Sequence, residues 1–275
     1  MNFNRLFQNI QTKRSFLCIG LDSDIQKIPD FLKKYQHPVF EFNRLIIDAT
    51  APYTIAYKPN IAFYESRGKE GWHELELTVD HIRKNHPGLF LIADAKRGDI
   101  GNTSEMYAET FFKVFDFDAV TVSPYMGFDS VQPFFSYKNK WVIILALTSN
   151  KGSADFQMLR TGKSETLFET VLKTSSAWGS KENTMFVVGA THANMLVLVR
   201  EYVPSHFLLI PGVGAQGGSL EDVFKYGKNP NCGLIVNSSR AIIYAGDKKD
   251  FDIIAAQKAA EIQGQMEKLL GNMPA

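Results

Sequence analysis

The chain has 275 residues, 45% hydrophobic and 21% charged, with a formal net charge of +1. That length fits one large α/β barrel as readily as two small domains, and the composition is ordinary for a globular protein. The near-neutral balance excludes a global field that gathers nucleic acid or anionic membrane, so any anion has to be held by a local site.

Within Met1 to Ser15, Phe3, Leu6, Phe7 and Ile10 fall at helical spacing broken by polar residues, which predicts an amphipathic helix against the body rather than a signal peptide. Short apolar, β-rich runs then recur: Phe16 to Leu21, Thr54 to Tyr57, Leu89 to Ala93, Ala119 to Val122, Trp141 to Leu147, Met185 to Gly189, Phe207 to Ile210 and Leu234 to Val236. Helical character lies between them, at Phe40 to Ala51, Trp72 to Lys84, Ser104 to Phe115, Ser164 to Trp178 and Asn194 to Tyr202, and then at Phe251 to Leu270. Continuous apolar strands alternating with helices predict a parallel sheet covered on its outside, and eight such units predict a closed (β/α)8 TIM barrel. The competing open, doubly wound sheet needs fewer strands and a switch point. No Pro/Ser-rich linker or low-complexity tract interrupts residues 1–275, which read as a single barrel domain with an N-terminal helix. Cys18 and Cys232 lie in and beside apolar runs, which fits free thiols in a reducing compartment. No apolar run approaches the roughly 18 residues of a membrane span, and a cytoplasmic protein is expected. Six histidines show neither a His-Glu-x-x-His pattern nor Cys/His ligand spacing, so no dedicated metal site is predicted.

A barrel places its functional residues just after the strands. Here Asp22 follows the first run and Lys58-Pro59-Asn60 the second. Asp94-Ala95-Lys96-Arg97-Gly98-Asp99 follows the third, Ser123-Pro124-Tyr125 the fourth, Thr148-Ser149-Asn150 the fifth, Thr191 the sixth and Asn237-Ser238-Ser239-Arg240 the eighth. Polar loops alone prove little, and charged turns are far commoner than active sites. Lysines and carboxylates gathered after strands one to three are harder to dismiss. Alternation along an extended chain puts Asp94 and Lys96 on one face, about 7 Å apart, with Asp99 beyond the turn. Arg97-Gly98-Asp99 also spells an adhesion triplet, but three-letter matches recur by chance.

After the seventh strand, Pro211 to Gly218 contains a literal G-x-G-x-x-G from Gly212 to Gly217. A dinucleotide site requires an acidic residue about twenty positions on, within a following βαβ unit. That region is Asn231-Cys232-Gly233, with one further strand, so the loop reads instead as the phosphate cup barrels build after strands seven and eight. Arg240 supplies a forked donor for phosphate oxygens, and Gln216 is a candidate neutral donor, although an isolated loop glutamine is usually only solvent-facing. Gly162-Lys163-Ser164 lacks the upstream glycine of a Walker A motif, since position 157 is Gln. His192, alone in its loop, is set aside as a base.

Taken together, Leu91 to Thr103, Pro211 to Gly218 and Asn237 to Ala245 resemble the orotidine 5′-phosphate decarboxylase family in its longer bacterial form. Leu17-Cys18-Ile19-Gly20-Leu21-Asp22 and Tyr57-Lys58-Pro59-Asn60 look like its first two strand ends, and the likeness spans nearly the whole chain in order. The resemblance implies decarboxylation of orotidine 5′-phosphate to uridine 5′-phosphate in pyrimidine synthesis, by a homodimer using neither metal nor organic cofactor. It places the family's charged tetrad on Lys58, Asp94, Lys96 and Asp99, with Asp99 and Thr103 reaching the partner subunit's site. Asp22 is then expected on the ribose, Ser149 on the pyrimidine, and Gln216 and Arg240 on the phosphate. Two features depart from the compact microbial form: bulky Arg97 inside the tetrad, and the segment Asn150 to Lys163. The nearest rival is a magnesium-dependent sugar-phosphate decarboxylase or aldolase on the same barrel, which needs an acid after the second strand where Lys58 stands. A Schiff-base aldolase is opposed by carboxylates that keep both lysines charged. A non-catalytic phosphate-binding protein is expected to have lost part of the tetrad, and all four positions are occupied.

Overall fold

The computed structural model describes residues 1–162, 164–213 and 218–271. Its strands are β1 (Leu17–Leu21), β2 (Ala56–Pro59), β3 (Phe90–Arg97), β4 (Ala119–Val122), β5 (Trp141–Leu147), β6 (Thr184–Val188), β7 (Phe207–Pro211) and β8 (Leu234–Ser238). Each runs parallel to its neighbours in chain order, and β8 returns to β1 with Leu17 opposite Val236, closing the predicted (β/α)8 barrel. Every residue of β1, β2, β4, β6 and β8 is buried. One face fills the barrel interior and the other lies under helices, which is why these strands read as continuous apolar runs.

The outer layer comprises α2 (Pro38–Thr50), α3 (Gly68–Asn85), α4 (Gly101–Glu109), α5 (Phe128–Phe135), α6 (Leu167–Ser175), α7 (Leu196–Tyr202), α8 (Leu220–Gly227) and α9 (Phe251–Gly271), preceded by α1 (Phe3–Lys13). In α1 the Asn2 side chain accepts from the Arg5 amide, satisfying one of the free N–H groups at the helix start. Leu6 and Ile10 are buried, and the Phe3 ring meets Trp141 and Phe207, the first residues of β5 and β7, at 6.4 and 5.4 Å. This helix therefore covers the mouth at the strands' N-terminal ends, leaving the opposite mouth open for chemistry.

Several elements differ from the sequence reading: β2 and β8 run on through Lys58-Pro59 and Asn237-Ser238. β3 runs four residues beyond Ala93, through the charged stretch to Arg97. The helix expected from Ser164 begins only at Leu167, because Arg160–Thr161 and Glu165–Thr166 first pair as a small antiparallel hairpin. A capping box, Thr166 with Glu169, then starts α6. α5 carries Pro133 in its interior, which masks its helical signal in the sequence. Among the described residues no helix is long and apolar enough to cross a membrane.

Candidate active site

The open mouth is organised by the end of β3. Pairing with β4 shifts register between Ala93 and Arg97, and Lys96 adopts φ +48°. A left-handed lysine costs about 1–3 kcal/mol and persists only where its surroundings hold it. Here the Lys96 amide donates to Thr121 Oγ1 at 2.9 Å, and the Thr121 hydroxyl lies 3.2 Å from Asp94 Oδ1 as a donor. Asp94 and Lys96 thus share one site as the alternation argument expects, but they meet through a bulged, left-handed turn rather than a regular strand.

Asp94 holds two ammonium groups at once. Lys58 Nζ donates to Oδ2 at 2.7 Å, and Lys96 Nζ donates to Oδ1 at 2.5 Å. Lys58 is 4% exposed, whereas the Lys96 side chain is half exposed to the mouth. Burial alone would raise the Asp94 pKa, but Lys58 and Lys96 overcome it and hold the carboxyl well below the usual carboxylate range. For Lys58, burial works downward and the Asp94 and Asp22 carboxylates outweigh it, so its ammonium is held above the ordinary lysine value. Both groups stay charged near neutral pH. The row Lys58–Asp94–Lys96 leaves one net positive charge, carried by the lysine nearest the opening.

Two adjoining clefts share Lys58, Asp94 and Pro211 in their walls. The first, ≈ 210 Å³, also exposes Lys96, Thr121 and Ser149, with Leu145, Val187 and Leu209 as an apolar floor. The second, ≈ 160 Å³, is lined by Asp22, Asn237 and Arg240 beside the start of the glycine-rich loop. Asp22 Oδ1 and Asn237 Oδ1 are buried there with no hydrogen-bond partner among the described residues. Orphaned buried acceptors are costly, and they suit a ligand rich in hydroxyl donors. The site needs close strand ends at this point: a Cβ on Gly20 would lie 2.8 Å from Ser239 Cβ and 3.1 Å from Asn237 Oδ1. Gly212, at φ +95°, turns the chain out of β7 into the loop.

The fold therefore gathers Lys58, Asp94, Lys96, Asp22, Ser149 and Arg240 around one opening. Asp99 and Thr103 are not brought to it. Asp99 is half-buried beyond the turn, accepting from the Ile100 amide at 2.7 Å, and Thr103 is exposed on α4. Gln216 lies outside the described residues, as does Lys163. Arg97 turns away from the clefts: it donates to Glu65 Oε1 and sits over the Tyr107 and Phe111 rings at 5.2 and 5.5 Å. Its bulk is absorbed outside the site, and its carbonyl accepts from the Ser123 amide at 2.8 Å. From Asn150 to Lys163, Gln157 ties the segment back to the end of β5 through both polar atoms of its amide on Thr148. Thr121 is the residue that sequence reasoning missed, and Asn237, named there only as part of the polar end of the eighth strand, is given no role. Thr121 sits inside an apolar strand, where a threonine reads as β-propensity.

Comparison with known proteins agrees with this geometry. Residues 15–250 match the family described as orotidine 5′-phosphate decarboxylase / HUMPS. The orotidine 5′-phosphate decarboxylase of Phocaeicola vulgatus is 62% identical over 270 residues, covering 98% of this chain and 99% of that one. That of Bacteroides fragilis is 60% identical over 270 residues, covering 98% of each. The solved structure of Leishmania donovani OMP decarboxylase superposes with a TM-score of 0.80 at 37% identity, covering 96% of this chain and all of that one. Barrel, charged row and matching sequence converge: the chain belongs to the orotidine 5′-phosphate decarboxylase / HUMPS family.

Proposed function

We propose that this chain, working as one domain, converts orotidine 5′-phosphate to uridine 5′-phosphate and CO2 in de novo pyrimidine biosynthesis, using its own side chains. The observation that carries this reading is the Lys58–Asp94–Lys96 row, with the half-exposed lysine at the opening. Loss of CO2 breaks the bond between C6 and the carboxylate and leaves its electron pair on C6, in an orbital the ring cannot delocalise. A preplaced ammonium stabilises that charge and then passes it a proton, and Lys96 Nζ takes both roles before being reprotonated from water. Asp94, kept ionised by its two lysines, faces the substrate carboxylate and disfavours the bound ground state until CO2 departs. The magnesium-dependent alternative fits poorly, because both Asp94 oxygens already accept from ammonium groups and Lys58 stands where an acid is needed.

One contact between unit charges near 4 Å supplies about 4 kcal/mol at an effective dielectric of about 20. Difficult reactions need barrier reductions approaching roughly 20 kcal/mol, so binding energy from the distant phosphate has to help close and desolvate the site. Arg240, with Gln216, takes the phosphate, Asp22 and Asn237 take ribose hydroxyls, and Ser149 contacts the pyrimidine. Arg240→Ala is expected to raise KM by about 10- to 100-fold, the range of a lost charge-assisted hydrogen bond, with unfolding unchanged. A variant whose stability falls in step with its binding would remove Arg240 from the substrate.

The site is completed by a second copy. Ile100 just before α4, Met106 on it, Tyr125 and Met126 in the loop joining β4 to α5, and Phe128 at the start of α5 are exposed apolar residues on the side of Asp99 and Thr103. Such a patch supports an isologous homodimer in which Asp99 and Thr103 enter the partner's site. Lys96→Ala and Asp99→Ala would each be inactive alone, yet subunit exchange between them leaves one intact site in every mixed dimer. About a quarter of wild-type activity is expected to return at statistical mixing. No recovery in dimers shown to have exchanged would place Asp99 in its own chain's site. Equimolar UMP and CO2 from orotidine 5′-phosphate test the reaction itself, and a folded chain that leaves the substrate intact overturns it.

A further inference from the structure

The histidine spacing predicts no metal site, yet the fold assembles one set of ligand atoms far from the open mouth. Asp48 lies near the end of α2, His81 in the last turns of α3, and His86 just after α3. Helices of this barrel run against the strands, so these ends sit at the mouth that α1 covers. Both imidazoles converge on one carboxylate oxygen: His81 Nε2 is 2.7 Å and His86 Nε2 2.9 Å from Asp48 Oδ1. One ligand atom from each of the three residues lies within 4.8 Å of the others.

We propose that Asp48, His81 and His86 form a binding site for a borderline divalent transition ion of the zinc class. Two imidazole nitrogens and one carboxylate oxygen are the donor set such ions prefer, whereas magnesium and calcium seek all-oxygen shells. Zinc bonds to these atoms at roughly 2.0–2.2 Å, so tetrahedral ligation separates the donors by roughly 3.3 Å. The two His–Asp distances have to open by about half an ångström, a side-chain adjustment open to a carboxylate that is 40% exposed. Each ring would pass its Nε2 proton to Nδ1 as the ion takes its place, with no net change in ring charge. For His81 that proton meets the Asn85 side-chain amide, now 3.0 Å from Nδ1, which turns over to accept it. Asp48 and His86 also line a ≈ 360 Å³ cavity, which gives an ion and its water a way in. Two cations border the site without filling it: Arg44 lies 3.6 Å from the other Asp48 oxygen, and Lys13 Nζ donates to the Ala51 carbonyl at 2.5 Å.

Such an ion would tie α2 to the chain entering β3, and its role is structural and separate from decarboxylation. The test is titration of the full chain with Co2+, followed by visible d–d absorption, and with Zn2+, followed by thermal unfolding. One ion per chain is expected, with an intense band typical of four-coordinate cobalt. At a hundredfold excess of Zn2+ over Kd, Tm is expected to rise by about 5–10 °C, while Mg2+ leaves it unchanged. Asp48→Asn and His86→Ala, both at surface-accessible side chains, should each lose the cobalt band while UMP binding is retained. Absence of the band in the wild type, its persistence in both folded variants, or an equal shift with Mg2+ would overturn the site.

Discussion

Lys96→Ala is expected to lower kcat by about five to seven orders of magnitude while the protein folds and binds UMP. The estimate joins two losses. The ammonium facing C6 contributes about 4 kcal/mol, close to a thousandfold, and a positioned general acid contributes about 10²–10⁴-fold. Folding should survive, because this side chain is half exposed and Asp94 keeps its buried partner Lys58. Removing the β-carbon substituents leaves the amide of residue 96 able to donate to Thr121, so the turn's main-chain tether remains. A rate within a hundredfold of wild type, measured by single turnover, would assign the carbanion to another cation.

Asp94→Asn is expected to have the second largest effect, and it acts on stability as well as on rate. It strips the charge from the oxygen that faces Lys58, a side chain only 6% exposed, and breaking a buried pair this way costs about 3–5 kcal/mol. The sign of the pH dependence follows from the two shifts. Asp94 is held below its unfolded value, so its contribution is present above about pH 4 and is lost as pH falls toward the folded value. Lys58 is held above its unfolded value, so its contribution is present below about pH 10.4 and is lost as pH rises through the folded value. The stability gap between wild type and variant should therefore be widest from about pH 5 to 9 and smaller at about pH 3.5. Urea unfolding at pH 7 and at about pH 3.5 measures it. A gap below about 1 kcal/mol at pH 7 would mean that water already screens the pair.

The barrel was legible because both faces of its strands are buried, which prints a continuous apolar run wherever a strand lies. β3 shows the limit of that signal. Its last four residues, Asp94 to Arg97, are charged or small, and they belong to the strand only because Arg97 and β4 pair across a register shift. The same limit applies to the site. Asp22 and Arg240 follow their strands as the barrel rule expects, while Lys58 lies one residue before the end of β2, and no one-dimensional pattern marks the Thr121 hydroxyl that touches both Lys96 and Asp94. Arg97 reads only as a bulky residue inside the tetrad, and its place shows once Tyr107 and Phe111, brought round by α4 and the turn after it, are seen to take its guanidinium. Asp48 and His81 are 33 residues apart and meet only because α2 and α3 pack side by side. Contacts between elements, rather than within them, are what the sequence withholds.

The most direct measurement is turnover of orotidine 5′-phosphate by the wild-type chain in deuterated water with excess chelator, followed by analysis of the UMP formed. Metal-independent decarboxylation that places one solvent-derived deuterium at C6, and that disappears in folded Lys96→Ala, is the predicted result. A folded wild-type chain that binds UMP but releases no CO2 would contradict it.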